Sequence, residues 1–134
     1  MSFPAITNAT GSNPGPNSAT VPDTVQSPVG NVWKVASLTA KLSPASVANA
    51  TSAEQTFAVT GLLTTDAITV NKPTAQAGLG IVGSRVSATD VLAITFGNFT
   101  AATITPTASE VYTLFVARVQ PNWTAPATGT PIDW

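Results

Sequence analysis

From Val32 onward, apolar and polar residues alternate in short runs separated by glycine, proline and small polar residues. NVWKVASLTAKL has the period-two spacing of a half-buried strand. SPASVANATSAEQ then reads as a connection opened by Pro44, with a faint signal for a short helical turn in SVANATSAEQ. Three more runs are strand-like: EQTFAVTG with Phe57 and Val59 on one face, DAITVNK with Ile68 and Val70, and GIVGSRVSA with Ile81 in an apolar stretch. Turn signals at Gly61 to Asp66 and at Lys72-Pro73 divide them.

VLAITFGN sets Leu92, Ile94 and Phe96 on one face. After the polar loop NFTAATITPTASE, VYTLFVARV sets Tyr112, Leu114 and Val116 on one face and Val111, Thr113, Phe115 and Ala117 on the other. A strand apolar on both sides suits the centre of a sheet. No segment sustains a helical period, and strands at roughly ten-residue intervals predict an all-β fold. The expectation is a single β-sandwich or barrel-like domain of about six to eight short strands over residues 31–118.

Two segments flank it. Residues 1–30 hold Pro4, Pro14, Pro16, Pro22 and Pro28 with only isolated apolar side chains, the composition of an extended N-terminal arm. Residues 119–134 form a C-terminal tail in which Pro121, Pro126 and Pro131 exclude a central strand. Trp123 and Trp134 in this tail read either as exposed terminal aromatics or as anchors that bury on a neighbouring subunit. Phe3 and Ile6 raise the same alternatives at the other end, whereas Trp33 falls in a strand pattern and reads as core or half-buried.

Composition narrows the chemistry. Charged residues are 8% of the 134, against roughly 25% in ordinary soluble domains. The five basic residues are scattered among six acidic ones, so no basic patch marks nucleic acid as a partner. A net charge of −1 supplies little repulsion between copies and favours self-assembly or docking on a larger body. Cysteine and histidine are absent, which removes disulfides, thiolate nucleophiles, Ser-His-Asp triads and His metal clusters. No run approaches a membrane span, and the N-terminus lacks the pattern of a secretory signal. The N-x-[ST] triplets at Asn8, Asn49, Asn98 and Asn122 read as chance in a Thr-rich chain.

One motif invites a sharper reading. In TAQAGLGIVGSRVS, Gly78, Gly80 and Gly83 have the G-x-G-x-x-G spacing of a dinucleotide-binding loop. That loop needs a strand before it, a helix after it and an acid about 20 residues on. NKPTAQA and SRVSATD supply neither half, so the glycines read as backbone devices that let a strand bulge or approach a neighbour closely. Asp66, Asp90 and Glu110 lie at turns or strand edges without acidic neighbours. Asp66 reads as a turn residue and Glu110 as a charge pairing with Arg85 or Arg118. No cofactor, metal or catalytic set is expected.

The order EQTFAVTGL, D-x-x-x-VNKPT, AGLGIVGSRVSA, LAITFGN-x-T, ITPTASEVYT resembles a β-domain recurrent in structural proteins of tailed bacteriophages, over about residues 38–118. The resemblance implies a non-enzymatic virion module: a capsid decoration (cement) protein, a head fibre or part of a tail fibre. It would be made in the host cytoplasm and carried on the outer capsid surface. Its partners would be the major capsid protein and other copies of itself, as a homo-oligomer with a trimer favoured. The alternatives are a tail or fibre component and a carbohydrate-binding adhesive module at the host surface.

Overall fold

The computed structural model describes residues 32–121 of the chain. These contain six strands: β1 (Val32–Leu42), β2 (Thr51–Ala58), β3 (Ala67–Asn71), β4 (Leu79–Ala88), β5 (Val91–Asn98) and β6 (Glu110–Val119). They form two three-stranded sheets ordered β1-β6-β3 and β2-β5-β4, and every pairing is antiparallel. The described region is therefore all-β and sandwich-like, as its period-two pattern predicts. Residues 1–30 and the tail from Asn122 onward lie outside the described residues; Val119, at the start of the predicted tail, ends β6 opposite Val32.

The inward faces follow the alternation. Leu92, Ile94 and Phe96 from β5 meet Tyr112, Leu114 and Val116 from β6, with Leu62 and Val47 from the connections. Burying each large apolar side chain contributes roughly 1.5–3 kcal/mol, so this cluster holds the two sheets together. Asn98 joins it as a polar member, 1% exposed. Its amide nitrogen donates to the carbonyls of Val47 (2.9 Å) and Ala102 (2.8 Å), and its Oδ1 accepts from the N–H and hydroxyl of Thr100. That set of bonds offsets the cost of burying an amide.

The faint helical signal after Pro44 is overturned. Among the described residues there is no helix, and β2 begins at Thr51, taking SAEQ into the strand. Ala53, Gln55 and Phe57 are half-buried at alternate positions opposite Phe96, Ile94 and Leu92. Gln55 also uses its side chain as a strand would use its backbone, accepting from the Ala45 N–H (2.7 Å) and donating to the Ala45 carbonyl (2.9 Å).

The strand apolar on both faces, β6, is central in its sheet, but only one of its faces is covered within the described region. Val111 and Phe115 point outward and are 50% and 52% exposed. The strand buried on both sides is β5, whose outward residues Ala93 and Gly97 are also covered.

Candidate interaction surfaces

Residues directly opposite in register share a face. On the outer side of β1-β6-β3, Phe115 stands between Ser37 and Thr69, Thr113 between Thr39 and Asn71, and Ala117 between Val35 and Ala67. Val111 stands opposite Lys41, the single charged side chain of these rows. The result is a face of Val, Ala, Ser and Thr centred on Phe115, with no carboxylate.

The outer side of β2-β5-β4 covers itself. Arg85, opposite Ala93, donates through two nitrogens to both carboxylate oxygens of Glu54, opposite Thr95 (2.8 and 2.9 Å). This forked pair bridges the edge strands across β5, and Ala93 beneath is fully buried. Arg85 holds the Glu54 carboxyl below its ordinary range, chiefly by the hydrogen bond. Beyond the bridge lies Gly97. A Cβ there would come 2.8 Å from Phe99 Cζ and 2.9 Å from Val82 Cγ1, so those two side chains lie over the missing one. Phe99 remains 73% exposed, beside a shallow pocket reached by Thr51 and Ser52. Its N–H donates to the Gly78 carbonyl (2.8 Å) and Asn98 precedes it, so the ring sits on a braced backbone.

The three glycines of the G-x-G-x-x-G spacing have different surroundings. Gly78 has φ +77°, and a Cβ there would overlap the methyl of Thr100. At Gly80 a Cβ would touch Phe99 at an ordinary 3.9 Å. Gly83 follows a register shift in β4 and a Cβ would have 4.0 Å to Thr95. The motif is followed by strand, not helix.

The described carboxylates are used structurally. Asp66 caps its own turn through the Leu63 N–H (2.9 Å) and also receives Arg118 on both oxygens (2.7 and 2.6 Å), with its side chain fully buried. Arg118 further donates to the Gly61 carbonyl (2.6 Å). The Arg118 hydrogen bond, first among several causes, lowers the Asp66 pKa. Glu110 pairs with neither arginine, contrary to expectation: both are engaged elsewhere, and it binds the Thr74 hydroxyl and Lys72 (2.9 Å). Those contacts, the Thr74 hydroxyl first, lower its pKa. Asp90, at φ 63° in the two-residue β4–β5 turn, accepts from the Gly61 N–H (2.6 Å). Among the described residues no group of acids is placed to hold a metal ion, and no helix is long and apolar enough to cross a membrane.

Phe3, Ile6, Trp123 and Trp134 lie outside the described residues, as does the side chain of Trp33. Sequence reasoning missed Val35, Val82 and Phe99 as surface features. The signal for Phe99 was present: a lone aromatic in an otherwise polar loop.

Fold and surfaces together define a small antiparallel β-sandwich-like domain with one carboxylate-free outer face that exposes Val35, Val111 and Phe115. No family model, curated protein or solved structure matches the chain.

Proposed function

We propose that the chain is a non-enzymatic structural protein of a tailed-bacteriophage virion, and within it a capsid decoration protein that reinforces the head shell. The observation that carries this reading is the outer face of β1-β6-β3. Exposed apolar side chains on a carboxylate-free sheet face are the chemistry of a docking surface. Three strands at ~4.8 Å spacing and about nine residues of rise give a face on the order of 400 Å². A standard interface takes about 800 Å² per partner, so one such face holds weakly alone and well when many copies bind one shell. The resemblance of the segment order to a β-domain of phage structural proteins points the same way. So does the engagement of every described carboxylate in a structural bond.

In this reading the major capsid protein and neighbouring copies are the partners, with trimers the preferred assembly, and the terminal segments carrying Phe3, Ile6, Trp123 and Trp134 link copies. A second reading, an adhesive or tail component, is favoured by Phe99, an exposed ring beside the hydroxyls of Thr51 and Ser52. The test is to incubate the purified protein with heads that lack it and image them by cryo-electron microscopy. Regular occupancy of the outer shell, lost in Phe115→Ser without a change in unfolding midpoint, is the expected result. Labelling confined to tails, or saturable glycan binding abolished by Phe99→Ala, overturns it.

A further inference from the structure

The two sides of the sandwich are closed differently. On one, Ser84 Oγ of β4 donates to the Ile68 carbonyl of β3 at 3.2 Å, joining the edges of the two sheets. On the other side β1 and β2 are both edge strands. The connection after β1 closes the upper part of that side through the Gln55–Ala45 bonds and the buried Val47, which pairs with Ile104. Lower down, no described residue closes it. A cleft between Leu38–Leu42 and the end of β2 shares Leu38 and Thr60 with a second cleft of about 180 Å³, so the two make one groove along β1. Ala36, Leu38, Leu62 and Val116 give its second half an apolar floor; Lys34 and Arg118 are its charged lining residues there, and neither half contains a carboxylate.

Among the described residues no strand pairs with the second edge of β1, although β1 runs for 11 residues. A long edge bordering a groove with an apolar floor along part of its length is the geometry of strand addition, in which backbone bonds hold the incoming chain and its alternate side chains enter the groove. We propose that this groove receives residues 20–30 (TVPDTVQSPVG) of a second copy of the chain, added as a further strand on β1.

Three properties of that segment fit the groove. In an extended chain, residues of one parity point their side chains to one face and their backbone groups to one side. Val21, Asp23, Val25, Ser27 and Val29 share one parity, so they can bond to β1 and present three valines to the apolar floor. Pro22 and Pro28 share the other parity, so the missing N–H groups fall on the side facing away from the ladder, where an edge strand tolerates them. Asp23 is the one charged side chain in residues 1–31, and no carboxylate lines the groove to repel it. At ~3.3 Å per residue the segment spans about the length of β1.

The inference rests on the reading that terminal segments link copies, but its test needs no phage particle. Hydrogen exchange of the full chain is followed over a dilution series by peptides covering residues 34–42. Exchange there is expected to slow by about tenfold or more at high protein concentration. Val25→Asp should abolish that slowing while leaving the exchange of β5 unchanged. Slow exchange that is independent of concentration places the cover within one chain and overturns the proposal, as does fast exchange at every concentration. If the exchange result holds and heads stay bare, it is the virion reading that fails. If heads are decorated while exchange in residues 34–42 does not depend on concentration, it is the strand addition that fails.

Discussion

Gly78→Ala is the sharpest test of how backbone shape is built into this domain. Gly78 combines φ +77° with a neighbour where a Cβ would go, whereas Gly61 has φ +101° and open space, and Gly83 has neither constraint. Left-handed backbone costs a non-glycine residue about 1–2 kcal/mol. Forcing a methyl into packed surroundings adds about 1–3 kcal/mol. Urea unfolding followed by circular dichroism should therefore rank the variants. Gly83→Ala is neutral or stabilising by up to ~1 kcal/mol through the unfolded chain. Gly61→Ala loses about 1–2 kcal/mol, and Gly78→Ala about 2–5 kcal/mol. Thr100→Ser removes the obstructing methyl and keeps the hydroxyl that donates to Asn98 and Ala102. Combined with Gly78→Ala it should restore the steric part, a coupling of about 1–2 kcal/mol in a double-mutant cycle. Gly78→Ala as stable as Gly83→Ala, or a cycle without coupling, would refute the reasoning.

Two further outcomes follow from the buried polar groups. Arg118→Met leaves the fully buried Asp66 carboxylate without its cation and should cost about 3 kcal/mol at neutral pH. Asp66 is depressed in the folded state, so its stabilisation is present above the unfolded pKa near 3.8 and is lost as pH falls through the lower folded value. Urea midpoints measured from pH 7 to pH 2 should fall below about pH 4 in the parent and fall less steeply in Arg118→Met. Tyr112, the single tyrosine, buries its hydroxyl with no hydrogen-bond partner among the described residues, and burial together with the Glu110 charge pushes its pKa up to about 12. Its phenolate absorbance should appear near pH 12 while the fold persists, and stability should decline between about 10 and 12; titration near 10 in the folded protein would contradict the burial. Tyr112→Phe should be neutral or slightly stabilising, because a hydroxyl with no partner is removed.

Period two made most of the core legible. Leu92, Ile94 and Phe96, and Tyr112, Leu114 and Val116, are read correctly as inward rows because strand side chains alternate regardless of which strand lies beside them. What was hidden depends on pairing. SAEQ is polar and becomes strand because β5 and the Ala45 backbone lie beside it. Which of two apolar strands is doubly buried turns on a cross-strand ion pair, Glu54 with Arg85, and on two side chains folded over Gly97. Arg118 finds Asp66 across 52 residues, a separation no local pattern records. The candidate surface was half legible: Phe115 was visible as the second face of β6, whereas Phe99 is a surface feature only because Asn98 and Gly78 hold its backbone.

The pairing of Val32 with Val119 has a mechanical consequence. Because β1 and β6 are antiparallel neighbours, the chain enters and leaves the strand frame at adjacent points on one edge of the domain. Tension between those two points opens the β1–β6 ladder rung by rung, since each pair of backbone bonds meets the load alone. Tension along β1 against a partner gripping the outer face of the sheet instead loads all the rungs at once. The domain is thus weak to a pull between its own ends and strong to a drag across its face.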